Sequence, residues 1–221
     1  IADHQRSGRG RREVGGQQRS WHSPSGKNLY LSLLLRPNLA PNIAAPLTLA
    51  AALGVRRALV QTSPALDEDL WIKWPNDLYH GDRKLGGILT EGVMTGAKLD
   101  AVIVGIGLNI NIAASDFPEE ITEIATSTLA ATGEPIDRLA LALEVRREVL
   151  IASQILIEDG LEAILDELRA HDRSKGRTVF ATRGEDEIEG VSQGIDDKGH
   201  LRVELEDGSI LSVQAGEVRF A

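Results

Sequence analysis

An α/β (α+β) fold in two parts is predicted by three observations. Short apolar runs of strand type follow one another too closely after Trp71 for βαβ repeats, so an antiparallel or mixed sheet is expected. Helical patterns flank these runs, one from Pro46 and another between Ile121 and His171. The composition then changes at Ser174–Arg177, and the roughly 45 residues that follow alternate short β segments with turns, the size of a small SH3-like barrel. A mixed-sheet domain over 1–173 followed by a barrel over 174–221 is therefore expected.

Each element has its own warrant. "NLYLSLLLRP" (Asn28–Pro37) is a β-like apolar run stopped by proline. "PLTLAAALGVRRALVQ" carries proline in its first turn and Ala and Leu thereafter, which predicts a helix. "LWIKWPND" (Leu70–Asp77) is a short strand that Pro75 must end or bend. "RKLGGILTEG" (Arg83–Gly92) and "KLDAVIVGIGLNINI" (Lys98–Ile112) are two more strands, with Met94–Ala97 as the hairpin turn between them. In "LEAILDEL", Leu161, Ile164, Leu165 and Leu168 stand at i, i+3, i+4 and i+7, one apolar helical face. The tail turns at Asp197–Gly199 and Asp207–Gly208. Neither an internal repeat nor a low-complexity linker is present.

Composition excludes several classes of function. The chain is 42% hydrophobic and 26% charged, as in soluble globular proteins. Its longest apolar runs fall far short of the ~20 residues that span a bilayer, and no signal peptide opens it. The absence of cysteine excludes disulfides, thiolate nucleophiles and Cys-ligated zinc, and agrees with a cytoplasmic setting. With 24 Lys+Arg against 33 Asp+Glu, the net charge of −9 argues against general nucleic-acid binding. The five histidines show no i, i+4 pair, so a histidine metal site is not expected. Because Ile1, not Met, stands directly before a dense motif, a missing beginning is expected.

That motif is "QRSGRGRREVGG" (Gln5–Gly16), which concentrates Arg6, Arg9, Arg11 and Arg12 among glycines. Glycine keeps a loop mobile, and the guanidinium fork binds phosphate or carboxylate through paired hydrogen bonds. A solvated basic loop and an RNA-binding Arg/Gly tract are the competing readings, although no aromatic residues interleave the arginines. "KWPND" (Lys73–Asp77) presents Asn76 and Asp77 directly after a strand, through a rigid proline, or is an ordinary Asx turn. "GDRKLGGI" sets Lys84 at the start of a strand, as a solvated edge residue or as a cation aimed into a pocket. "GIGLNIN" (Gly105–Asn111) ends a strand with glycines that allow close approach to the backbone, but it lacks the third glycine of a dinucleotide fingerprint. No Walker loop is present. "GVSQG" around Ser192 matches a nucleophile elbow without the helix that motif requires.

In this order and spacing, "GRGRR", "W.SP.GKNLYLSLLLRP", "KWPNDL", "RKLGGILTE" and "VIVGIGLNIN", followed by a small β domain, resemble the bacterial biotin–protein ligases over essentially the whole chain. The resemblance implies an α/β catalytic domain on a mixed sheet with an SH3-like domain behind it. It implies that biotin and MgATP form biotinyl-5′-adenylate, and that a lysine of a biotin carboxyl carrier domain then displaces AMP. By motif match, Gln5, Gly8, Arg9, Gly10 and Arg11 fall on the biotin- and adenylate-binding loop, with Arg11 and Lys84 as the catalytic cations. Gly105 and Gly107 would form a backbone floor, while Trp21, Asn76, Asp77 and Asn109 fall on the nucleotide side. The resemblance assigns no metal ligand, since magnesium enters with ATP, and it leaves homodimerisation open. No membrane or nucleic-acid partner is expected from these residues.

Two departures from the family stand out. "EVGGQQRS" before Trp21 is longer than the usual link, with Glu13 where glycine is common. A Ser/Thr-Asn biotin-binding segment upstream of the loop is absent, so weak biotin binding by these residues alone is expected. Lipoate–protein ligases share the fold and the carrier-lysine logic, and a helix-turn-helix upstream would make the protein a ligase and repressor together.

Overall fold

The computed structural model of the chain describes residues 21–36, 44–96, 98–183 and 186–221. Its first sheet holds β1 (Leu29–Leu35), β2 (Leu70–Lys73), β3 (Asp77–His80), β4 (Arg83–Thr95) and β5 (Lys98–Leu108) in the order β1-β5-β4-β3-β2. Every ladder in it is antiparallel. Among the described residues, the mixed character expected of this sheet is confined to one isolated parallel bridge, Lys84 to Ala125. The reason is local: β2 to β5 are joined by tight connections, which leave no room for the long crossover a parallel neighbour needs.

One sequence expectation is met in detail and one is corrected. The strand in "LWIKWPND" ends before Pro75 as expected, and the Trp74–Pro75–Asn76 turn reverses the chain into a hairpin that sets Lys73 directly opposite Asp77. The stretch from Ile121 to His171 is not continuously helical. It divides into α2 (Thr128–Thr132), α3 (Arg138–Asp159) and α4 (Glu162–Ala170). The Ser127 hydroxyl accepts from Ala130 N to start α2, and Asp137 Oδ1 accepts from Leu139 N at 2.8 Å to start α3. Gly133 and Gly160 end these helices with φ of 77° and 83°.

The first helix, α1 (Ala44–Thr62), is apolar on nearly all sides and is buried between the sheet and α3. α4 buries Ile164, Leu165 and Leu168 on one face. The second sheet runs β10-β6-β7-β8-β9, made of β6 (Thr178–Arg183), β7 (Asp186–Ile195), β8 (Leu201–Glu204), β9 (Ile210–Val213) and β10 (Val218–Phe220). One apolar cluster runs through both sheets, and the buried Trp74 indole donates to Gly199 O at 2.9 Å across the junction. Ser192 is fully buried and shares a hydrogen bond with Ser174, so "GVSQG" is a structural strand segment. Among the described residues, no helix is long and apolar enough to cross a membrane.

Candidate functional site

Helices α1 and α3 cover one face of the first sheet, toward which Val102, Val104, Ile106 and Leu108 of β5 point. The alternate residues build the opposite face. Cross-strand partners lie side by side on the same face, and the register places Tyr30 beside Gly107, Gly107 beside Gly87, Gly87 beside Asp77 and Asp77 beside Lys73. This single row crosses all five strands. The next row is Ser32, Gly105 and Leu89. Glycines therefore occupy the centre of the face, and they leave a hollow where side chains would otherwise stand.

That hollow is a cavity of about 550 Å³, floored by Gly87, Gly105 and Gly107 and walled by Trp21, Tyr30, Asp77 and Lys84. A Cβ on Gly107 would reach the Tyr30 ring at 3.7 Å, and one on Gly87 would come within 3.1 Å of Asp77 Oδ1. Lys84 Nζ lies 2.6 Å from Asp77 Oδ1 and 5.6 Å from the centroid of the Trp21 ring, so the ammonium belongs to the cavity wall rather than to bulk solvent. Its main chain is pinned on both sides, with Lys84 N donating to Ile124 O and Thr126 N donating to Lys84 O, each at 2.9 Å.

Asn76 lines the same cavity, but its carboxamide is spent on the turn: Nδ2 donates to Ile88 O at 2.7 Å, and Ile88 N returns a bond to Asn76 O at 2.8 Å. Asn109 is not brought to the cavity. Its buried carboxamide donates to Thr126 O at 3.0 Å and accepts from Asn28 Nδ2 at 3.2 Å, and so braces the segment that holds Lys84. Gln5, Gly8, Arg9, Gly10 and Arg11 lie outside the described residues. Sequence reasoning missed Tyr30 and Ser32, whose placement was available from the alternation in "LYLSLLL", and it missed Lys73.

Asp77 carries the electrostatics of the site. Besides Lys84, it has Lys73 Nζ 3.8 Å from its other oxygen, so two ammonium groups attend one carboxylate. The Lys84 ammonium beside an apolar hollow suits an anionic head on an apolar body. Burial and then the charge of Asp77 push the Tyr79 hydroxyl up to about 12, so it stays protonated. Asp77 is the only carboxylate among the described residues that line the cavity, and no group of three or more His, Asp or Glu among the described residues is placed to hold a metal. A second cavity of about 360 Å³ adjoins the first at Asn76 and Leu89 and is closed on its far side by Gln214–Gly216 of the barrel.

Residues 1–109 match the Biotin/lipoate A/B protein ligase family, and residues 176–220 match the Biotin protein ligase C terminal domain. The chain is 38% identical over 218 residues to the bifunctional ligase/repressor BirA of Escherichia coli, a match covering 99% of this chain and 64% of that protein. It is 31% identical over 220 residues to the biotin–[acetyl-CoA-carboxylase] ligase of Mycobacterium tuberculosis, covering 99% of this chain and 77% of that one. Its fold matches the biotin protein ligase from Aquifex aeolicus in complex with biotin and ATP, with a TM-score of 0.79, 30% identity, and coverage of 92% of this chain and 83% of that chain. The chain thus spans slightly less than two thirds of the length of the BirA relatives it matches.

Proposed function

The chain belongs to the biotin–protein ligase family, and on that premise we propose that it activates biotin with MgATP and passes the biotinyl group to a lysine of a biotin carboxyl carrier domain. In the first step the biotin carboxylate attacks the α-phosphorus of ATP, the bond to the β,γ-phosphates breaks, and pyrophosphate leaves. In the second, the carrier's amine attacks the acyl carbon of the adenylate, AMP leaves, and the amine gives up its proton. Both partners in the first step are anions, so charge neutralisation and positioning carry most of the catalysis.

The observation that carries this reading is the ammonium of Lys84, held 2.6 Å from Asp77 on the wall of a hollow floored by glycines. Lys84 is assigned to the reacting carboxylate and phosphate, Gly105 and Gly107 to the surface beneath biotin, and Trp21 to the mouth. Asn76 and Asp77 are assigned to the nucleotide side, and Asn109 is reassigned from that side to bracing Lys84. Arg9 and Arg11, with Gln5, Gly8 and Gly10, are assigned to binding biotin and the adenylate, a mixed anhydride that water would destroy. One carboxylate fits magnesium that arrives on nucleotide phosphates and keeps most of its shell from phosphate and water. The catalytic unit is assigned to 1–173 and the barrel to 174–221, since α4 ends at Ala170 and β6 opens at Thr178. The chain is assigned to the cytoplasm, in keeping with a sequence that has no cysteine.

Biotin-dependent exchange of labelled pyrophosphate into ATP tests the proposal, with lipoate as the rival acid. Exchange with biotin and none with lipoate is expected. Exchange supported by lipoate alone would replace biotin as the substrate, and exchange with neither acid, each raised to a concentration that offsets weak binding, would remove the ligase reading.

A further inference from the structure

Lys73 is only 7% exposed, an uncommon place for an ammonium group. It ends the row that crosses the open face of the sheet, beside Asp77, and its Nζ lies 3.8 Å from Asp77 Oδ2. Two aromatic faces also shelter it, with the Tyr79 centroid at 5.3 Å and the Phe220 centroid at 5.6 Å. Phe220 belongs to β10, the last strand of the barrel, about 150 positions along the chain from Lys73. Its ring is stacked in turn by Arg177, whose guanidinium carbon is 3.8 Å from the centroid and which pairs with Asp82 at 3.2 Å.

A buried ammonium is costly unless a counter-charge and polarisable faces offset its lost hydration. The carboxylate of Asp77 and the two rings fill those roles here. The effect on Asp77 follows from geometry. A carboxylate held through one oxygen can turn about χ1 and χ2, whereas one drawn at each oxygen toward a separate cation is restricted in both its rotamer and its plane. Lys84 takes its own position from Asp77, so fixing that plane also fixes the ammonium on the cavity wall.

We propose that Lys73 is a positioning residue for Asp77, seated by Phe220, so that the barrel completes the binding site of the first sheet. The kinetic part of this inference rests on the ligase reading, and the structural part does not. Lys73 touches neither the cavity floor nor its mouth and acts through Asp77.

The test is a cycle in the full chain, with Lys73→Met, Lys73→Arg, Phe220→Leu and Asp77→Asn measured singly and with each Lys73 or Phe220 change placed on Asp77→Asn. Lys73→Met is expected to slow biotin-dependent pyrophosphate exchange by about tenfold, a size typical of contacting residues that act through one another. Lys73→Arg should restore most of that rate, and Phe220→Leu, which keeps apolar bulk but removes the ring, should fall in the same direction. On the Asp77→Asn background neither Lys73→Met nor Phe220→Leu should add a further loss. An equal loss on both backgrounds would overturn the proposal. Side-chain couplings read by NMR provide a measure free of substrate: Asp77 should hold one χ1 rotamer in the parent and average in Lys73→Met and Phe220→Leu. An unchanged rotamer in both variants would overturn the proposal as well. If Lys73→Met does not fold, Phe220→Leu carries both measurements. A parent chain with no exchange activity would count against the ligase reading alone, and the couplings would then decide.

Discussion

Lys84 and Asp77 meet 2.6 Å apart on adjacent strands, so the one carboxylate lining the described cavity holds the cation that faces the ligand space. The pair is partly exposed, which makes it a small contributor to folding, about 0–1 kcal/mol for such ion pairs. Its importance lies in where the ammonium is stored. An incoming carboxylate or phosphate has only to draw Lys84 away from Asp77, without moving the backbone, which is pinned by Ile124 and Thr126.

Lys84→Met should therefore separate activity from stability. Adenylate formation in a single turnover is expected to slow by about 10²–10³-fold, the scale of losing one preorganised charge-stabilising donor. Thermal unfolding should stay close to that of the parent. A large drop in Tm would instead make the lysine a structural residue.

The glycines of the sheet divide into two kinds, and substitution can tell them apart. A Cβ at Gly107 meets only the Tyr30 ring at 3.7 Å, an ordinary contact, while one at Gly86 would lie 2.4 Å from Leu108 Cδ2 and 2.8 Å from Gly107 O. Gly107→Ala should leave Tm nearly unchanged and weaken biotin binding by about tenfold in calorimetry, the effect of one misplaced methyl group in a fitted pocket. Gly86→Ala should destabilise the fold by about 1–3 kcal/mol through overpacking. Equal effects of the two changes on Tm would contradict the assignment of Gly107 to the cavity floor.

How much of this was legible in sequence depended on whether the deciding force was local. The strands and the apolar face of α4 follow from period alone, and Gly105 and Gly107 could be placed on one face from the alternation of β5. The breaks between α2, α3 and α4 carry their signals in Ser127, Gly133, Asp137 and Gly160, cap residues that apolar periodicity alone does not weigh. Asn109 sits one position past the end of β5, where alternation no longer says which way a side chain points, so its motif suggested a ligand role for an amide that braces Thr126. Lys73 could not have been found by pattern. One of the rings over it is Phe220, a residue at the far end of the chain, and a lysine in a short strand otherwise reads as solvated.

Gly54 marks the closest approach of α1 to α3. A Cβ there would lie 2.7 Å from Glu148 O and from the Cα and N of Val149, all backbone atoms that cannot swing aside. Alanine would gain up to about 1 kcal/mol of helix propensity over glycine, but forcing two packed helices apart costs more. A net loss of about 2 kcal/mol is expected for Gly54→Ala, which lowers Tm by about 4–8 °C in a chain of this size. Calorimetry reads the shift directly, and a Tm equal to or above the parent's would show that α1 and α3 can separate without strain.

Acid sensitivity should appear first through two histidines. Burial, ahead of nearby charges, pushes His80 and His171 below the usual imidazole value, so both favour the neutral form when folded. Between the folded and unfolded values the unfolded chain binds more protons, so their contribution to stability is fully present above about pH 6.5 and is lost as the pH falls below it. Glu167 shifts in the same sense for a different reason: the hydrogen bond from Arg57 holds its carboxyl low, and its contribution is lost only below the ordinary carboxylate range. Burial pushes the Asp172 carboxyl up, which acts in the opposite sense, so the histidines are read from the difference between parent and variant across the interval from about pH 6.5 to pH 5. Tm should fall across that interval in the parent and fall less steeply in a His80→Gln/His171→Gln variant, which keeps the main-chain bond from Ile72 N to residue 171 O. Parallel slopes in the two proteins would mean that neither imidazole is held neutral by the fold.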